Sequence, residues 1–340
     1  MIPAIFGCSG PVLTDDERAF FREADPAGYI LFGRNCENPA QLRALTDDLR
    51  TIHGREKLLV SIDQEGGRVA RLRPPQWASY PAGEAFDRLY AVAPASAIEA
   101  ARAGAKAMAL ELSAMGVTVD YHPPLDVRQA GAHDVIGDRS LGSDPMQVAA
   151  IGRGILDGLS AGGVTGCIKH MPGHGRSMCD THKEMPTVRA SAEELEHDLS
   201  PFRSLNSALV GMTGHLKFPV WDTEDPATLS RTIIQDIIRG EIGFDGLLLT
   251  DDIDMEALGG SIPERAAAAH QAGCDIILNC WAKIDDMTGI CEVLPEMSTE
   301  VTTRLDRALA DTRITDTIAD EQGELLAKRD ALLALTGEAA

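Results

Sequence analysis

Short runs of aliphatic and β-branched residues recur at positions 4–6, 29–32, 58–62, 117–120, 165–169, 210–213, 247–250 and 275–278. Each is followed by a polar or glycine-bearing loop and then by a longer segment with helical spacing, the alternation of repeated βα units. Several runs lack polar alternation, as in Leu247-Leu248-Leu249. Both faces of such strands are expected to be covered, as in a parallel sheet flanked by helices or closed on itself. Amphipathic stretches at 39–53, 95–114, 145–161, 192–209 and 230–242 supply the helices, many opened by Asp, Ser or Pro and closed near Gly. Eight strands with intervening helices predict an α/β fold, a single (β/α)8 barrel of the TIM type occupying residues 1–340 as one domain. An open doubly wound sheet is the competing arrangement. From 301 to 340 two further helical patterns, separated by residues 312–317, predict additional C-terminal helices packed on the barrel. The alanine-rich stretch 91–109 reads as an outer helix, because alanine is the strongest helix former.

Composition narrows the function classes. Of 340 residues, 44% are hydrophobic and 24% charged, enough to bury a large core and too apolar for wholesale disorder. Lys plus Arg number 31 against 52 Asp plus Glu, and the net charge of −21 repels nucleic acid and anionic membranes. Neither is expected as a partner. Seven scattered cysteines, an odd number with no Cys-x-x-Cys pair, favour reduced thiols over a disulfide framework or a thiolate zinc site. No Lys or Arg precedes Arg18 and no long unbroken apolar stretch occurs, so a cytoplasmic protein without an export signal or membrane span is expected.

A barrel gathers its chemistry at the C-terminal ends of its strands, and there the polar residues concentrate. Asp63-Gln64-Glu65-Gly66-Gly67-Arg68-Val69-Ala70-Arg71 follows the third run. The fourth leads to Asp120-Tyr121-His122-Pro123-Pro124-Leu125-Asp126-Val127, with Gly137-Asp138-Arg139-Ser140 shortly after. Lys169-His170-Met171-Pro172-Gly173-His174-Gly175 and then Asp180-Thr181-His182 follow the fifth, His215 the sixth, and Thr250-Asp251-Asp252 the seventh. In the content, order and spacing of the motifs at 63–69, 169–175, 180–182 and 250–252, the sequence resembles glycoside hydrolase family 3, specifically its bacterial single-domain β-N-acetylglucosaminidases. The resemblance spans residues 5 to 278 and offers no motif beyond about residue 285. It implies a (β/α)8 barrel lacking the second sandwich domain of many family 3 β-glucosidases, and a retaining exo-β-N-acetylglucosaminidase activity. No cofactor or metal is expected. Two departures stand out: Met171 where the family usually has Phe, and Thr181 and Thr250 where it often has Ser. Neither removes an ionisable group.

Asp251 ends a wholly apolar strand, where a carboxylate must be hydrogen-bonded or functional because burying an unpaired charge is expensive. A strand-end Asp can also cap the next helix, and Asp252 fits that cap at least as well, so Asp251 is read as nucleophile and Asp252 as structural. The resemblance likewise places the nucleophile on Asp251. It implies His182 as acid/base, oriented by Asp180; an imidazole titrates near neutrality and can both donate and accept the proton. A solvated loop histidine is the alternative. The resemblance also implies that Asp63, Arg71, Arg139, Lys169 and His170 bind the non-reducing-end sugar, with ion pairing outside the site as the alternative for the two arginines. His174 and His215 are read equally as sugar contacts or as hydrogen-bonding groups behind them. Asp126 and Asp138 read as loop caps, Glu65 as a turn-stabilising side chain, and Trp77, Trp221 and Trp281 as core or rim packing.

Other function classes compete. His170, His174, His182 and Asp251 could ligate the metal of a barrel hydrolase, yet Pro172 and two glycines deny His170 and His174 a shared helix face. An inactive sugar-binding protein is opposed by the intact Asp251, Asp180 and His182. Within the enzyme class, a β-glucosidase or an N-acetylglucosaminide phosphorylase is the nearest rival. The resemblance implies a small soluble substrate, terminal β-linked N-acetylglucosamine on cytoplasmic muropeptide fragments with a 1,6-anhydro-N-acetylmuramic acid unit, as in cell-wall recycling. The sequence leaves the oligomeric state open.

Overall fold

The apolar runs become eight strands: β1 (Ile2–Gly7), β2 (Pro26–Leu31), β3 (Leu59–Ile62), β4 (Val119–Asp120), β5 (Thr165–Met171), β6 (Val210–Thr213), β7 (Leu247–Leu249) and β8 (Ile277–Asn279). They pair in parallel in the order β7-β6-β5-β4-β3-β2-β1-β8. A parallel bridge between Leu249 and Ile276 brings β7 beside β8 and closes the sheet into a barrel. The open-sheet alternative is thereby excluded. The computed structural model describes residues 1–129, 131, 136–177, 185–318 and 320–337.

Strand side chains alternate between two interiors. Ile5, Ile30, Leu59, Val119, Cys167, Val210 and Leu247 belong to the core inside the barrel, whereas Phe6, Tyr29, Leu31, Val60, Ile62, Ile168 and Leu248 belong to the layer between strands and helices. Both faces are dry, which is why the runs carry no polar alternation.

The helices are α1 (Asp15–Ala24), α2 (Pro39–His53), α3 (Gly83–Val92), α4 (Pro94–Ala114), α5 (Pro145–Ala161), α6 (Ala192–Ser204), α7 (Ile262–Ala272), α8 (Ile284–Val293), α9 (Thr299–Leu309) and α10 (Glu321–Leu333). Local chemistry sets their starts: Asn38, Asp144 and Ser191 accept the backbone N–H groups of Gln41, Gln147 and Glu194. Two expectations are corrected. The helix expected over 192–209 stops at Ser204, because the Leu205 N–H turns back to Pro201 and Phe202 and the chain leads into β6. The stretch 230–242 winds more widely, as a π-type helix over Ile233–Glu241, with the Ile242 N–H bonded to the Ile237 carbonyl five residues back. Of the C-terminal helices, α9 closes the N-terminal end of the barrel, sending Val301, Leu305 and Leu309 into the inner core. The other, α10, lies along α4. The six described cysteines are free thiols, and Cys179 lies outside the described residues. No described helix is long and apolar enough to cross a membrane.

Candidate active site

At the C-terminal end of the barrel, opposite α9, a cavity of about 170 Å³ receives Asp63, Arg71, Arg139, Lys169, His170 and Asp251. A larger groove of about 420 Å³ beside α3 and α10 has no strand-end residue in its wall. All six residues come from loops or strand ends. On β5 the pairing shifts register between Ile168 and Met171, and this bulge lets the consecutive Lys169 and His170 both reach the cavity. Met171, where the family usually has Phe, is buried with its methyl group against Gly211.

One side of the cavity is an ion-pair array. Lys169 Nζ donates to Asp63 Oδ1 at 2.9 Å and to Glu65 Oε1 at 2.6 Å. Arg139 grips Glu65 with both ends of its fork, Nη2 to Oε1 at 2.7 Å and Nε to Oε2 at 2.8 Å. Arg71 Nη2 reaches Asp63 Oδ2 at 3.1 Å. Burial alone would raise both carboxyls; Lys169 and Arg71 outweigh it at Asp63, and Arg139 and Lys169 hold Glu65 well below the ordinary range. Lys169 and Arg139 are correspondingly held charged, their partners overcoming the cost of burial. Glu65 is therefore not the turn-stabilising side chain the sequence suggests but the common anchor of two cavity cations. The turn itself is held by backbone: the Glu65 and Gly66 N–H groups both bond to the Val69 carbonyl. Gly66 has φ 99°, and a Cβ there would stand 2.3 Å from the Pro81 carbonyl oxygen, so only glycine fits.

Asp126 is likewise more than a loop cap. Its Oδ2 lies 2.7 Å from His170 Nδ1, and its Oδ1 accepts the backbone N–H groups of His174 at 2.7 Å and His170 at 3.2 Å. Burial would raise its carboxyl, but the adjoining His170 holds it below the usual value. An ionised Asp126 beside Nδ1 fixes the orientation of the His170 ring. Asp138 pairs with Arg68 at 2.7 Å on the half-exposed rim.

The same cavity is lined by Asp251, which accepts one hydrogen bond among the described residues, from the Asp252 N–H to Oδ1 at 2.8 Å. Burial would raise its carboxyl, yet His170, His215 and Lys169 prevail and hold it below the ordinary value. Asp252 has the opposite fate: burial and the nearby Asp254 push it well above the ordinary range. It caps no helix, since Ser261 occupies the cap position of α7. Instead its Oδ1 accepts the Asp254 N–H at 3.1 Å and the Cys280 N–H at 3.3 Å. Two adjacent carboxyls with pKa values driven apart have different tasks, and the ionised one is suited to nucleophilic attack.

The two histidines read alike in the sequence separate in space. His174 lines the cavity edge-on to His170, with ring centres 5.5 Å apart, and its buried Nδ1 has no partner among the described residues. Burial and His170 hold its pKa down to about 4, so the ring is neutral near pH 7. His215 sits behind the site with both nitrogens engaged, Nε2 at 2.9 Å from the Asp252 carbonyl and Nδ1 at 2.8 Å from the Thr228 hydroxyl. Trp77 is buried, Trp221 packs on Phe218, and Trp281 is exposed at the end of β8, all outside the cavity wall. Asp180, Thr181 and His182 lie outside the described residues.

Glu65 and Asp126 were missed for one reason: their partners are 74 and 44 residues away along the chain. A usable signal existed for Asp126, which stands between the apolar Leu125 and Val127, both buried. A carboxylate flanked this way must find a partner.

The profile of the "Glycosyl hydrolase family 3 N terminal domain" matches residues 12–313. A β-hexosaminidase of Bordetella avium is 39% identical over 287 residues, 82% of this chain and 80% of that protein. Among solved structures, NagZ from Neisseria gonorrhoeae in complex with N-trifluoroacetyl-D-glucosamine superimposes with a TM-score of 0.87 at 30% identity, covering 98% of both chains. A family 3 β-N-acetylglucosaminidase from Paenibacillus gives a TM-score of 0.86 at 30% identity, covering 97% of this chain and 67% of that one.

Proposed function

Because the chain belongs to glycosyl hydrolase family 3, alongside bacterial β-hexosaminidases, we propose that it is a retaining exo-β-N-acetylglucosaminidase with Asp251 as nucleophile. The observation that carries this reading is that an Asp251 held below the ordinary carboxyl value shares one cavity of about 170 Å³ with the Asp63–Lys169–Glu65–Arg139 array. In the first step Asp251 attacks the anomeric carbon as the bond to the leaving oxygen breaks, and His182, oriented by Asp180, gives that oxygen its proton. In the second, water adds to the same carbon, its proton returns to His182, and Asp251 leaves as carboxylate. Asp63, Arg71, Arg139, Lys169 and His170 hold the sugar hydroxyls. Similarity to NagZ, crystallised with an N-acylated glucosamine analogue, supports N-acetylglucosamine as the sugar. By extension the substrate is terminal β-linked N-acetylglucosamine on cytoplasmic anhydro-muropeptides.

Hydrolysis of 4-nitrophenyl β-N-acetylglucosaminide should greatly exceed that of the β-glucoside and be indifferent to phosphate. Preference for the glucoside would reject the sugar assignment, and a glycosyl phosphate product would make the enzyme a phosphorylase. His182→Ala should slow substrates with poor leaving groups far more than activated aryl glycosides, with Asp180→Ala milder in the same sense. Equal losses across leaving groups would remove His182 from the acid/base role.

A further inference from the structure

The family profile ends at residue 313, before α10 begins. Nevertheless α10 reaches toward the cavity through Arg329, a buried cation on its inner face. The guanidinium donates from Nη1 to the Ser79 carbonyl at 3.1 Å, lies 5.5 Å from the centre of the Tyr80 ring, and uses Nε to bond Asp330 at 2.8 Å. Its stem passes over Gly104 of α4, where an added Cβ would meet Arg329 Cδ at 3.0 Å. Two turns earlier along the same helix, Gln322 Nε2 stands 3.4 Å from both the Tyr80 hydroxyl and Glu111 Oε1, and Glu111 in turn accepts the Ala78 N–H at 3.1 Å.

Residues 79–83, gripped by α10 on one side, press on the ion-pair array on the other. The Tyr80 carbonyl accepts the Gly67 N–H at 2.8 Å. The Pro81 carbonyl lies against Gly66, and Gly83 lies against the Arg139 carbonyl so closely that a Cβ would stand 2.3 Å from it. Glu65, Tyr80, Pro81 and Arg329 also border one small internal cavity of about 10 Å³. Displacing this segment would therefore move the turn that carries Glu65 and the backbone of Arg139 together.

We propose that Arg329 is a positioning residue for the sugar site: it fixes residues 79–83, and through them the Glu65 carboxylate that aligns Lys169 and Arg139. The inference rests on reading that array as the sugar cradle. It makes the C-terminal helix part of substrate recognition, although no α10 residue lines the catalytic cavity.

Arg329→Ala should raise KM for 4-nitrophenyl β-N-acetylglucosaminide, and the inhibition constant of free N-acetylglucosamine, by about tenfold, with kcat changed less than about threefold. Arg329→Lys, which restores a donor to the Ser79 carbonyl, should recover most of the loss. Lys328→Ala, on the exposed side of the same helix where Lys328 pairs with Glu99, should leave both constants unchanged. Gln322→Ala should shift KM in the same direction by a smaller factor, and it carries the test if Arg329→Ala does not fold. Unchanged constants in a folded Arg329→Ala enzyme would overturn the proposal. So would an equal KM rise in Lys328→Ala, or a loss confined to kcat or to melting temperature. Wild-type enzyme inactive on this glycoside would instead refute the sugar assignment, and the same variants would then be compared on the glycoside it does cleave.

Discussion

Asp251 and Asp275 lie at opposite ends of the wall formed by β7 and β8, and they carry the same carboxylate in different company. Asp275, beneath the strands, is held by three donors: Oδ2 accepts from Arg239 at 2.7 Å and the Leu248 N–H at 2.9 Å, and Oδ1 from Arg304 at 3.1 Å. Asp251, above them, has one backbone donor among the described residues, and His170, His215 and Lys169, acting across space, hold its carboxyl below the ordinary value. The difference matches the proposed division between holding the fold and reacting. A carboxylate bound to two arginines and a backbone N–H suits an anchor, whereas one kept charged with few donors suits the proposed nucleophile.

The sharpest break of this contrast is Asp251→Asn. Turnover should fall by about 10⁴ or more, while the melting temperature stays within about 2–4 °C of wild type. A fluorosugar inactivator should label the peptide containing Asp251, and label on another carboxylate would reassign the nucleophile. Asp275→Asn should do the reverse. Weakening its pairs with two largely buried arginines should lower unfolding free energy in urea by about 3 kcal/mol with kcat/KM nearly unchanged. An Asp275→Asn enzyme of wild-type stability would erase the distinction between the two ends.

The smallest effect concerns pH. Asp252 has a native pKa well above its unfolded value, so the native state retains a proton that the unfolded chain has released. Its contribution to stability is therefore present in acid and declines as pH rises from the ordinary carboxylate range through the raised pKa. Asp252→Asn keeps an acceptor for the Asp254 and Cys280 N–H groups and titrates nothing. It should melt slightly higher than wild type near pH 7, and this gain should vanish below about pH 4. A gain that persisted unchanged in acid would contradict a protonated Asp252.

The barrel was legible because every one of its strands is dry on both sides, and a run such as Leu247-Leu248-Leu249 has few other uses. Helix starts were legible where capping is local, as at Asn38 and Asp144. The widened turns over Ile233–Glu241 were not, because Ile233, Ile234, Ile237 and Ile238 mark the same buried face for either hydrogen-bonding pattern. In the site, strand-end position singled out Asp63, Lys169 and Asp251, but not the long-range partners Glu65 and Asp126. Composition likewise gave no sign that His174 and His215 differ. That depends on Thr228, whose hydroxyl occupies His215 and not His174.

The join between β7 and β8 consists of a single bridge, and Thr250 extends it: its N–H reaches the Ile276 carbonyl at 3.0 Å, while its hydroxyl accepts the Leu278 N–H at 2.9 Å. Among the residues one base change away from a threonine codon are serine, alanine and isoleucine. Of these three only serine retains an oxygen for the Leu278 amide, which would otherwise be buried without a partner. A mutational scan of residue 250 is therefore expected to tolerate serine and to reject alanine and isoleucine, directly beside the proposed nucleophile.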